Sequence, residues 1–266
     1  ETIVFWSGGK INSINIKTLS VKDIPFEVNA SIKIAEALKF KNKSYEESFT
    51  SKMIKNAVTS PDEKTIVFES NGKIWKKDLP NGTPTQLTQN TDIEAEPSFS
   101  KDGKNIVFVT WNDENTGAIQ VVSAKGGKSK KITSEKGIYR TPSYSYDNAS
   151  IVFLKESGNE EQGHTFCKEP GIYNMNADGK NVKKVTEDGE FPSFTKDGKR
   201  IIVQTGGSYF GNLTKTLVSY NLNGKDEKTL ISSKYANRLV LSPDNEWIAF
   251  NHLHKVFLVP FPKYKQ

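Results

Sequence analysis

Pro97-Ser98-Phe99-Ser100-Lys101-Asp102-Gly103-Lys104-Asn105-Ile106-Val107-Phe108 reads as a strand end, a tight turn and the start of a second strand. Its parts recur along the chain. The apolar end returns as Thr2-Ile3-Val4-Phe5, Thr65-Ile66-Val67-Phe68, Ser150-Ile151-Val152-Phe153, Arg200-Ile201-Ile202-Val203 and Trp247-Ile248-Ala249-Phe250. The turn returns as Ser60-Pro61-Asp62, Ser145-Tyr146-Asp147, Thr195-Lys196-Asp197-Gly198 and Ser242-Pro243-Asp244, so only the first copy lacks it. From Ile to Ile the intervals are 63, 40, 45, 50 and 47 residues. Periods of this size mark supersecondary units that bury their faces only by stacking on one another.

Within each period the chain reads as an inner strand, the Asp-containing turn, the Ile-Val-Phe strand, a loop and a third strand. The third strands are Ile11–Ile16, Lys73–Lys77, Ala118–Val122, Gly171–Met175, Thr216–Tyr220 and Lys255–Val259. A second turn, rich in Asn, Asp and Gly, leads to an alternating outer strand such as Pro84–Thr88, Lys131–Thr133 or Lys184–Thr186. Middle strands are apolar at consecutive positions because neighbouring sheets cover both their faces, whereas outer strands alternate because their edge meets water. The fold class expected is all-β: a six-bladed β-propeller of four-stranded antiparallel blades, with five blades as the alternative. The terminal blades are incomplete, since the first copy lacks its innermost strand and the last, from Arg238 onward, lacks its outer one.

A single domain spanning 1–266 is expected, with 28–54 as an irregular excursion between the first and second copies. No run of eighteen apolar residues suggests a membrane span, and Cys167 is the lone cysteine, which excludes an internal disulfide. The chain begins at Glu1 inside a strand phrase, which reads as a processed or trimmed product. The net charge of +6 rests on lysines, many of them in turns; only Arg140, Arg200 and Arg238 are arginines. Base and phosphate readout leans on bidentate arginine and stacking platforms, so the basic balance reads as a solvated surface and not as a nucleic-acid site.

The phrase from Pro97 to Phe108 resembles the WD40-like repeat of TolB-type propellers, and the resemblance covers the chain from about residue 55 onward. Asp78-Leu79-Pro80-Asn81-Gly82, Val109-Thr110-Trp111-Asn112-Asp113-Glu114 and Lys136-Gly137-Ile138-Tyr139-Arg140-Thr141-Pro142-Ser143 look closer to one subgroup. These are propellers fused ahead of a metal-dependent amidohydrolase domain in exported bacterial proteins. The resemblance implies a propeller without catalysis of its own, a periplasmic or secreted location, and a catalytic domain, where one exists, beyond Gln266.

Local patterns that suggest chemistry are weak. His252-Leu253-His254 has the spacing that begins an amidohydrolase metal site, yet it sits where two blade strands turn, and no metal or cofactor is expected there. Gly126-Gly127-Lys128-Ser129 lacks the earlier glycine and following helix of a phosphate loop. In Gly207-Ser208-Tyr209-Phe210-Gly211 the serine stands one place too early for a nucleophile elbow. Asp113, Glu114 and Asn115 miss the ligand spacing of a calcium loop. The long loop from Glu156 to Pro170 gathers Glu160, Glu161, His164 and Cys167, and its length more than its composition suggests a role.

Geometry makes the stronger functional case, because each innermost strand lines the channel of a propeller. Aligning the turns puts Asn56, Glu96, Thr141, Phe191 and Arg238 at one rank, and Lys55, Ala95, Arg140, Glu190 and Asn237 one step earlier. Together they bring Lys55, Glu96, Arg140, Glu190 and Arg238 to one opening, with Tyr139, Tyr209 and Trp111 as nearby aromatic contacts. Charges of both signs there suit a protein or peptide partner, a peptide terminus or a small zwitterionic or anionic ligand, or they hold only ordered water and one another around a wet channel. A binding or scaffold module is expected, with the relic or accessory of an amidohydrolase as the alternative.

Overall fold

The computed structural model describes residues 1–33, 47–159, 164–165, 168–207, 214–252 and 254–261. These fall into two compact units, Glu1–Thr50 and Ser51–Gln266.

The first unit holds one antiparallel sheet of β1 (Thr2–Ser7), β2 (Lys10–Asn15) and β3 (Val21–Ile24). Its strands pair without a register break, Ile3 opposite Ile14 and Ile14 opposite Val21. The described parts of the excursion, 28–33 and 47–54, contain no strand.

In the second unit the first sheet runs through β4 (Lys55–Thr59), β5 (Thr65–Ser70), β6 (Lys73–Asp78) and β7 (Thr85–Gln86). The next has β8 (Ile93–Phe99), β9 (Asn105–Asn112), β10 (Thr116–Ser123) and β11 (Lys130–Lys131). Then come β12 (Ile138–Tyr144) and β13 (Ser150–Glu156), a short ribbon of β14 (Gly158–Asn159) and β15 (His164–Thr165), and β16 (Gly171–Asn176) and β17 (Lys183–Thr186), which complete the sheet. The last two sheets are β18 (Glu190–Phe194), β19 (Arg200–Gly206), β20 (Lys215–Asn221) and β21 (Lys228–Ser233), followed by β22 (Leu239–Leu241), β23 (Trp247–His252) and β24 (Lys255–Pro260). No helix occurs among the described residues, and six antiparallel sheets of three or four strands are those of a propeller-like fold.

Alternate residues of the Ile-Val-Phe strands explain how the sheets stack. On β9, Ile106 and Phe108 bury against Val67, Ile74 and Leu87 of the preceding sheet, while Val107 and Val109 bury against Ile151, Phe153 and Tyr173 of the following one. On β13, Ile151 and Phe153 face back and Val152 faces forward to Ile201 and Val203. On β19, Ile202 faces forward in turn, to Leu239 and Ile248. A strand with period two and apolar residues at every position is what a sheet sandwiched on both faces requires. Each such Ile, Val or Phe side chain adds about 1.5–3 kcal/mol of transfer free energy on full burial.

The five turns share one geometry. The Ser or Thr hydroxyl donates to the Asp carboxylate two residues on, at 2.6 Å for Ser60, 2.7 Å for Ser100, 2.6 Å for Ser145 and 2.7 Å for Thr195, and likewise in Ser242–Asp244. The same oxygen accepts the amide of the residue that starts the next strand, Thr65 at 3.0 Å and Asn105 at 2.9 Å for example. The fourth turn position is left-handed throughout: Glu63, Gly103, Asn148, Gly198 and Asn245. Glycine therefore fills this position in only two copies, and the Ser–Asp hydrogen bonds hold the turn in the rest.

Candidate channel site

Four of the five innermost strands of the second unit carry a bulge at the same place. Register slips between Lys55 and Val58, Ala95 and Ser98, Arg140 and Ser143, and Glu190 and Ser193. Each slip coincides with a non-glycine residue at positive φ: Asn56 (46°), Glu96 (53°), Thr141 (47°) and Phe191 (50°). Proline follows in three of them, Pro97, Pro142 and Pro192, where a bulge needs no ladder donor. An extra left-handed residue re-aims two successive side chains: of the earlier rank Arg140 reaches the cavity beside Thr141, and Lys55 and Ala95 line the adjoining groove. Backbone strain of this kind concentrates at functional positions and costs about 1–3 kcal/mol for each residue.

The inner strands of all five sheets wall a cavity of about 460 Å³. One tier is Asn56, Glu96, Thr141, Phe191 and Arg238, and the other is Val58, Ser98, Ser143, Ser193 and Val240. Beside it, a groove of about 530 Å³ shares Asn56, Glu96 and Arg140 with the cavity and adds Lys55, Glu69, Ile93, Trp111, Tyr139 and Glu156.

Glu96 is the tie between blades. Its Oε1 accepts from Arg140 Nε at 2.7 Å and Nη2 at 2.6 Å, and its Oε2 accepts the Thr141 amide at 2.6 Å. Arg140 also meets Glu156 at 3.3 Å. The Glu96 hydrogen bond, set against partial burial, holds the Arg140 guanidinium above its ordinary pKa. Within the sheet of β18 to β21, the Lys215 ammonium lies 3.6 Å from Glu190, whose Oε2 accepts from Gln204 Nε2 at 3.4 Å. Gln204 is buried, and its Oε1 accepts the Leu239 amide at 2.8 Å, which anchors the backbone next to Arg238. The Arg238 guanidinium carbon lies 4.2 Å over the Phe191 ring, a cation–π contact.

The predicted residues thus separate into two groups. Lys55, Glu96, Trp111, Tyr139 and Arg140 meet in the groove, while Glu96, Arg140 and Arg238 meet at the cavity. Glu190 lines neither; Lys215 and Gln204 engage it. Tyr139 is largely core: it is buried beside Phe153 and its hydroxyl donates to the Glu135 carbonyl. Trp111 is half-buried and its Nε1 donates to Asp113. Tyr209 lies outside the described residues, as do Glu160, Glu161 and Cys167. Phe191, Gln204, Lys215 and the serine tier were not singled out; counting back two residues from each turn Ser or Thr finds Ser98, Ser143 and Ser193 in the sequence.

The weaker motifs settle into local structure. His252 ends β23 and stacks on Tyr235 with centroids 5.1 Å apart, while His254 stands in the hairpin turn. Among the described residues no three His, Cys, Asp or Glu side chains gather as a metal site would require. Gly126–Ser129 connects β10 to β11, and the Asn112 side chain accepts the Glu114 and Asn115 amides in the acidic hairpin turn.

No family model matches the sequence, and no curated protein matches it. Solved structures do. TolB from Acinetobacter baumannii is 19% identical with a TM-score of 0.58, over 95% of this chain and 57% of that one. An oligogalacturonate lyase in complex with manganese is 13% identical with a TM-score of 0.61, over 97% of this chain and 69% of that one. The tricorn protease is 12% identical with a TM-score of 0.60, over 94% of this chain and 27% of that one. The chain spans little more than half the length of TolB. At these identities the likeness is one of fold, and the fold of this chain is that of the TolB-like propellers.

Proposed function

We propose that the chain is a non-catalytic binding or scaffold module that recognises a protein or peptide at the mouth of the channel in its second unit. The observation that supports it is the cavity of about 460 Å³ with Arg140, Arg238 and Glu96 on its wall, of a size and polarity that suit a chain end or loop. The half-buried Trp111 and exposed Ile93 give the adjoining groove the apolar anchors that protein contacts use. A periplasmic or extracellular location goes with this reading through the TolB-like resemblance. The test is binding of display-selected peptides to the full chain and to Arg238→Glu. Binding should fall at least tenfold while Tm moves by no more than about 2 °C; equal binding by the variant overturns this placement.

The cavity volume also favours a second reading, capture of a small molecule, which would raise Tm in proportion to ligand concentration. A third, accessory to an amidohydrolase-type domain, stands or falls on whether the downstream reading frame encodes one.

A further inference from the structure

The charges on the cavity wall are not equally engaged. Arg140 has two carboxylates, Glu96 and Glu156, and Glu96 has both oxygens occupied, by Arg140 and the Thr141 amide. Arg238, the third charged residue of the wall, has no acidic partner among the described residues, and its guanidinium lies over the face of Phe191. A guanidinium over a ring face satisfies none of its N–H donors there, and those donors form the fork that fits a carboxylate. The backbone at both residues is constrained. Phe191 sits in the left-handed bulge of β18, and the Leu239 amide next to Arg238 donates to the buried Gln204.

Hydrogen-bonding capacity on the same wall is likewise uncommitted. The Ser98, Ser143 and Ser193 hydroxyls of the second tier make no hydrogen bond among the described residues. Pro97, Pro142 and Pro192, all buried, add apolar surface between them. With Arg140 engaged by Glu96 and Glu156, the wall offers, among the described residues, one positive charge without an acidic partner, several hydroxyls and apolar patches. That complements a monoanion carried on a polar chain better than a phosphate dianion, which calls for more than one cation.

We infer that Arg238, backed by Phe191, is a carboxylate receptor, and that the occupant of the cavity presents a carboxylate to it with hydrogen-bonding groups along the serine tier. The inference rests on the channel-mouth reading above. Two sources share this chemistry, a peptide C-terminus and a small carboxylic acid.

The test uses the full chain and two probe sets: a tripeptide library with free C-termini beside its amidated copy, and a panel of acetate, succinate and benzoate. Binding is followed by calorimetry for wild type, Arg238→Gln, Arg238→Lys and Ser143→Trp, which fills the cavity from the opposite tier. The expected result is that wild type prefers the free carboxylate over its amide by about 10- to 100-fold. R238Q should lose that preference, and R238K should keep part of it. Binding confined to the tripeptides assigns a peptide end, and binding confined to the small acids assigns a small carboxylic acid. Equal binding of acid and amide by wild type, abolished in S143W, overturns the carboxylate inference and leaves the channel reading standing. Equal binding that survives in S143W removes both. Failure of every probe to bind wild type overturns the receptor.

Discussion

At the residue scale, the two channel arginines have opposite duties. Arg140 is structural, since its removal strands the mostly buried Glu96 carboxylate. Arg140→Met should cost about 1 kcal/mol, held low because the guanidinium is half-exposed, and less in high salt. Urea titrations at two ionic strengths check this. Arg238→Gln should cost no more than the ~0.5–1 kcal/mol of its contact with Phe191, because its charge has no acidic partner among the described residues.

The turn aspartates make a separate residue-scale case. Hydrogen bonds from Ser60, Ser100, Ser145, Thr195 and Ser242 hold Asp62, Asp102, Asp147, Asp197 and Asp244 below the usual carboxylate range. A depressed folded-state value contributes stability that is complete above the unfolded value of about 3.9 and is lost as pH falls through the folded values beneath it. Stability measured from pH 5 to pH 2 should therefore fall. The fall should be shallower in a variant with Ser100, Ser145 and Ser242 replaced by alanine; an identical slope rejects the turn aspartates as its source.

At the element scale, the bulges and the seams between sheets decide what the strands can do. Thr141 is β-branched, left-handed and has a buried hydroxyl with no partner among the described residues. Thr141→Gly should stabilise the chain by about 1 kcal/mol, a rise of ~2–4 °C in Tm, while altering the cavity wall. The opposite holds at Gly179 and Gly224. Both stand at positive φ, where a Cβ would overlap the Ile132 or Val185 carbonyl oxygen of the preceding sheet's outer region. Gly179→Ala should cost about 2–3 kcal/mol in a thermal or urea melt. The strands themselves were legible from Ile-Val-Phe repetition, because two covered faces demand consecutive apolar residues. β3 and β21 were harder to see: Val21–Ile24 and Lys228–Ser233 mix polar and apolar residues without a repeated phrase. The bulges were invisible for another reason. Asn56, Glu96, Thr141 and Phe191 share no residue type that announces a left-handed backbone, so only their common distance from the turn links them.

At the scale of the whole molecule, repetition makes the fold readable and the site only half so. The rank alignment brought Glu96, Arg140 and Arg238 to one cavity wall, because position along an inner strand is set by the turn that ends it. It did not show which charges were already engaged. That depends on Glu156, Lys215 and Gln204, which approach from other strands at distances no sequence spacing encodes. Nor did it separate Tyr139, whose ring belongs to the core between sheets, from Trp111 at the groove.

The most direct measurement is the affinity of a display-selected peptide for the full chain and for Ser143→Trp, with Tm recorded for both. Ser143 lines the cavity on its second tier, so an indole there occupies the channel while the stacked core between sheets is left alone. Loss of binding with Tm within about 2 °C is the result expected of a channel that receives its partner. Undiminished binding by the folded variant would contradict it and place recognition elsewhere on the molecule.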